Sequence, residues 1–166
     1  MRWLSALALL VAAPASAAQL LFAGGQWAAL DRGGTCEAAS RSLRLVQKGR
    51  VQARAGFAFD ANGTRHGQFF AELSRIPRTG STVILTVGTR PFLLASNGQW
   101  AWSRDPTQES AIIAAVRSAG GMRVDSRDAS GRRFVDRYLL DGAPTAIDAA
   151  AARCASAKLA KSGRNN

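Results

Sequence analysis

The chain is short of almost everything from which a catalytic cluster is built. It has one histidine, His66, one tyrosine, Tyr138, and three glutamates, Glu37, Glu72 and Glu109, beside eight aspartates. It holds no G-x-S-x-G elbow, no C-x-x-C pair and no glycine-rich loop of the phosphate-cradling kind. One histidine and two cysteines supply no metal-ligand set, so neither a metal nor a cofactor is expected. No spacing among the carboxylates marks an acid/base pair. His66 follows the Asn62-Gly63 turn and reads as an exposed polar residue. A triad assembled in space with a serine and a carboxylate is the remaining hydrolase alternative. The expectation is a protein that is not an enzyme.

Long hydrophobic runs are equally scarce. The main one opens the chain, MRWLSALALLVAAPASAA, with Arg2 as a positive start, Trp3 to Ala13 as an apolar core and Ala15-Ser16-Ala17 as a cleavage site. Residues 1–17 therefore read as a secretory signal peptide, too short to span a bilayer permanently. No later segment is apolar enough for a transmembrane span. The mature chain is expected in the periplasm or outside the cell.

Cysteine is rare but even in number. Cys36 and Cys154 lie near the two ends of the mature chain, and such a pair in an exported protein reads as one disulfide. A bridge that closes a loop on the order of 100 residues is worth about 4.7 kcal/mol by chain entropy.

Acid is scarce against base. The formal charge is +11, and nineteen of the twenty-two basic residues are arginine. Such a surface attracts anionic partners, among them phospholipid headgroups, lipopolysaccharide and sialylated glycans. Export puts nucleic acid last among such anions, and no nucleic-acid partner is expected. Arginines spread this evenly also fit a plain solvated surface, because the only basic block is the tail.

What is present is an ordinary globular composition, 47% hydrophobic and 20% charged, sized for one domain over residues 18–157. Residues 158–166 read as a basic flexible tail. Strands are expected at Gln26–Asp31, Cys36–Ser40, Val51–Phe59 and Gly67–Leu73, with Arg41–Arg50 a basic loop. The stretch Val83 to Trp102 then carries the clearest hairpin signal. With Asn97-Gly98 as a two-residue loop, Ala95 pairs with Trp100 and Leu93 with Trp102. Leu93, Ala95, Trp100 and Trp102 share one face, Phe92, Leu94 and Ala101 the other. Two apolar faces imply a hairpin at the centre of a two-layer β core. Asp105, Pro106 and Gln108 start a helix that Gly120-Gly121 ends. Met122–Arg127 and Arg132–Leu140 form another hairpin, and Pro144 opens a last helix that aims Cys154 inward and frays from Ala155.

Two polar or aromatic groups stand out as contacts. Trp100 and Trp102, interleaved with Arg90 and Arg104, fit a stacking face for a glycan or an anionic partner. The same tryptophan pair also reads as core. Asp136 shares a face with Phe134 and Tyr138 and reads as a structural carboxylate. Its partner would be an arginine or a turn that it anchors by hydrogen bonding.

Several of these pieces, taken in order, resemble the invasion-associated locus B proteins of bacteria. The resemblance rests on Trp27, Cys36, Val83–Gly88 with Pro91–Leu94, and Asn97-Gly98-Gln99-Trp100-Ala101-Trp102. It continues through Ala111–Arg117, Gly120–Val124, Ser130-Gly131, Asp136–Leu140 with Gly142, and Arg153-Cys154. Leu139 and Ala143 depart from the family pattern. The resemblance implies an immunoglobulin-like β-sandwich with two short helices. It also implies an exported, non-enzymatic protein that promotes host-cell interaction or invasion by surface binding. A periplasmic structural or stress-related protein without a host role is the alternative.

Overall fold

The computed structural model describes residues 18–163. The expected signal peptide and the end of the expected tail lie outside the described residues. The fold is mainly β, with two antiparallel sheets and two helices.

Seven strands make the larger sheet: β1 (Gln19–Gly24), β2 (Trp27–Asp31), β3 (Thr35–Arg41), β4 (Arg54–Asp60), β5 (His66–Glu72), β8 (Ala95–Asn97) and β9 (Trp100–Trp102). Their spatial order is β1-β2-β3-β4-β5-β9-β8. The smaller sheet contains β6 (Ile84–Val87), β7 (Arg90–Leu93), β10 (Gly121–Arg127) and β11 (Arg133–Leu139), in the order β11-β10-β6-β7. Helix α1 spans Pro106–Val116 and α2 spans Ala143–Ser162.

Alternation of side chains sets which face is covered. In the larger sheet Trp27, Cys36, Phe57 and Phe69 point into the core; in the smaller one Leu85, Val124, Phe134 and Tyr138 do. These residues form one contiguous core, so the two sheets share it. Trp27 is its anchor: the indole nitrogen donates to the Leu139 carbonyl at 2.8 Å, and the ring stacks on Phe57 at 6.2 Å. Helix α2 lies against β1 to β4, and the Cys36–Cys154 disulfide fastens it to β3 with the Cα atoms 5.9 Å apart.

The first helix begins as its sequence requires. The Asp105 carboxylate accepts from the Gln108 amide at 2.8 Å, and the Gln108 side chain accepts from the Arg104 amide at 2.9 Å. It stops at Val116, before Gly120-Gly121, because Gly121 already belongs to β10.

The central hairpin differs from expectation. The observed pairs are Ala95 with Trp102, Ser96 with Ala101 and Asn97 with Trp100, so the loop is Gly98-Gln99. Gly98 sits at φ 55° and no other residue type does so in the described chain, which matches a turn with glycine in the first loop position. Partners shift by two positions, so side-chain parity and the two faces survive. Burial does not. The chain crosses from the smaller sheet to the larger at buried Leu94, and β8 becomes the edge of the larger sheet. Trp100 is 39% exposed, which overturns the reading of this hairpin as the centre of the core.

The last helix is also longer than expected. It continues through the segment expected to fray, up to Ser162, because its alanine-rich sequence has high helix propensity.

Candidate anion-binding site

Residues 42–53, between β3 and β4, form a compact loop whose ends are joined. The Ser42 amide donates to the Ala53 carbonyl at 2.8 Å. One side chain organises the interior. The Gln52 amide nitrogen donates to the Ser42 hydroxyl at 2.9 Å and to the Ser42 and Arg44 carbonyls at 3.2 Å. Its oxygen accepts from the Val46 amide at 3.2 Å. At the tip the Arg50 amide donates to the Gln47 carbonyl at 3.1 Å. The Leu43 amide donates to the Arg137 carbonyl at 2.8 Å and so docks the loop on the outer edge of β11. An edge strand that would otherwise present unpaired backbone groups is thereby covered.

Cations gather around this loop. Arg44, Arg75, Arg133 and Arg137 line an open cleft of about 420 Å³ beside Leu43. An adjoining cleft of about 390 Å³ shares Arg44 and Arg75 and adds Leu45, Arg50 and Asp136. Arg75 is held by Asp128 at 2.7 Å and Arg133 by Asp125 at 3.1 Å. Arg41, Arg44, Lys48, Arg50 and Arg137 are exposed, and none of them has an ion pair among the described residues. Elsewhere most arginines are matched to acids: Arg32 to Glu37, Arg54 to Glu37 and Glu72, Arg65 to Asp60, Arg117 to Asp148 and Arg153 to Asp31.

The acids near the clefts are already committed. Asp128 accepts from the Ser130 hydroxyl and from Arg75, and from the Ser130 and Arg132 amides, which together lower its carboxyl to about 2. Asp136 is 1% exposed and accepts from the Ser74 amide at 2.9 Å. It therefore anchors the turn after β5, and it makes no ion pair with an arginine among the described residues. Loss of hydration raises its carboxyl above the ordinary range, against the pull of Ser74, Arg44 and Arg75. The neighbouring Tyr138 hydroxyl is buried, has no hydrogen-bond partner among the described residues, and is pushed upward by the same desolvation.

The four contacts expected from the sequence do not converge. Trp100 and Trp102 lie on the outward face of the edge hairpin in the larger sheet. Arg90 lies in the smaller sheet, its guanidinium 5.5 Å from the Phe92 ring centre. Arg104 is exposed in the turn before α1. The cation brought to Trp100 is instead Arg54, 5.3 Å from the ring and 5.5 Å from that of Phe70. Glu72 holds Arg54 at 3.0 Å, so this stack is internally neutralised. His66 is exposed, as its position beside a turn suggests. Among the described residues no group of three or more histidines, cysteines or acids is placed to hold a metal ion.

Sequence reading expects a basic loop over residues 41–50; Arg41 instead ends β3, and the loop runs on through Val51 to residue 53, where a strand was expected. It missed Gln52 as the organiser, because an amide reaching back along its own loop leaves no pattern of spacing. Comparison of the chain with protein-family models, curated proteins and solved structures finds no match.

Proposed function

We propose that this chain is an exported, non-enzymatic binding protein of the bacterial envelope or exterior. It engages anionic surface components through arginines, host-cell surfaces included, in the manner implied by its resemblance to the invasion-associated locus B proteins. The immunoglobulin-like kinship belongs to the same proposal. The observation that carries it is the set of cations without ion pairs on and beside loop 42–53. A cation already bonded to a carboxylate has little charge left for a partner, whereas these present theirs to solvent.

The periplasmic structural alternative draws on a different observation. Among the described residues nine arginines are held in ion pairs, Arg75 and Arg133 of the clefts included, and those residues serve the fold. One experiment separates the two readings. The oxidised protein is titrated against heparin, host-cell membranes and bacterial envelope fragments over a salt series. The binding reading expects retention that weakens as salt rises, and a marked loss for Arg44→Gln with Arg50→Gln. Arg117→Gln, which removes an already paired charge, should change little. Absence of binding to every anionic surface would leave the structural role.

A further inference from the structure

Arginine is only half of what loop 42–53 displays. The sequence Leu43-Arg44-Leu45 places two leucines on either side of an unpaired cation, and both are in solvent: Leu43 is 48% and Leu45 76% exposed. Val51 on the same loop, Ile76 beside Arg75, and Leu139, which lines a shallow cleft with Leu43, are exposed as well. Five of the nine large apolar side chains exposed among the described residues thus lie on this loop, line its clefts or adjoin a residue that does, and five cations without ion pairs share the region. A single exposed leucine needs no explanation, but a group of them among arginines does.

The loop is also held ready. Its backbone is bonded through Gln52, its ends are joined, and Leu43 docks it on β11. Leu45 is therefore presented outward by a fixed backbone, and little ordering cost remains for a partner to meet.

The geometry points to anionic membrane lipid as the occupant of this surface. Resting on the anion-binding reading above, the inference is that Leu43 and Leu45 enter the interfacial zone while Arg44, Lys48, Arg50 and Arg137 pair with lipid phosphates. Charge complementarity selects the anionic leaflet, since guanidinium groups match phosphate oxygens in forked geometry. The apolar side chains select a lipid surface over a soluble polyanion, which has nothing for a leucine to enter. Neither signal alone gives stable membrane binding; a basic patch joined to an apolar insertion does.

The test uses the oxidised protein with phosphatidylcholine vesicles, with and without phosphatidylglycerol, and with heparin as a lipid-free polyanion. The expected result is sedimentation with phosphatidylglycerol vesicles and none with phosphatidylcholine alone. Replacing Arg44 or Arg50 by Gln should weaken vesicle binding about fivefold each. Leu43→Ser with Leu45→Ser should weaken it about tenfold while leaving heparin binding and thermal stability unchanged. Vesicle binding unaltered by the leucine changes would overturn the inference and leave electrostatics alone. So would heparin binding without vesicle binding. Binding to neither would remove the anion-binding reading itself, and the lipid inference with it.

Discussion

Asp136 spends its carboxyl inside the protein on Ser74, and among the described residues no arginine bonds to it, although Arg44 and Arg75 face the same cleft. The fold favours its protonated form, since burial raises the carboxyl above its ordinary 3.8. The sign follows from that direction. Its stabilising contribution is fully present below about 3.8 and is lost as pH rises through the raised value. Asp136→Asn keeps an acceptor for Ser74 and removes the ionisation. It should therefore leave stability nearly unchanged in acid and increase it at neutral pH, as denaturant midpoints at the two conditions would show. A variant that loses stability at neutral pH but not in acid would mean that the carboxylate is held ionised. At this scale the sequence was informative where neighbours in the chain decide. Phe134, Asp136 and Tyr138 share a buried face because strand alternation puts them there. Leu43 and Leu45 look identical to core residues by the same alternation, yet no sheet covers them.

Among elements, those specified by local chemistry match the sequence closely. Asp105, Pro106 and Gln108 begin α1 as expected, and the turn between β10 and β11 falls at Asp128–Gly131. The hairpin between β8 and β9 was placed one residue off, because Asn-Gly can supply the loop itself or only its first glycine. Where the strands cross between sheets decided that, and Leu94 is the pivot. Turns also differ in how tightly the rest of the molecule holds them. Gly142 adopts φ 85°, and a Cβ there would collide with the Gly24 carbonyl oxygen, at the end of β1 where the chain turns into β2. Gly98 adopts φ 55° with nothing within 4 Å of such an atom. Gly142→Ala should cost about 3 kcal/mol, backbone strain plus displacement of a neighbouring turn. Gly98→Ala should cost about 1 kcal/mol, strain alone. Urea titration of both variants measures the difference, and equal losses would mean that the two turns are not in contact.

For the whole molecule, the strand-rich two-sheet reading and the disulfide were legible in composition, turn spacing and an even cysteine pair. The division of strands between the sheets was not, because register across long sequence separations is set by packing. The bridge between Cys36 and Cys154 closes a separation of 118 residues, and beside it Arg153 donates to Asp31 at 2.7 Å. Cys36→Ser with Cys154→Ser should lower stability by about 2–5 kcal/mol, read from denaturation with the reduced wild type as the matching control. A loss below that range would show that α2 stays docked on its own contacts.

That bridge also settles how the molecule behaves under tension. A pull applied at the two ends reaches Cys36 and Cys154 and passes through the covalent bond, so the sheets between them bear no load. Among the described elements, β1, β2 and the last turns of α2 lie outside the closed ring and can be peeled away. The 118-residue separation hides a length on the order of 400 Å, at roughly 3.5 Å per extended residue. A reductant releases it, and force alone does not. Under load the oxidised chain is a short, inextensible link; reduced, it is a long and compliant one.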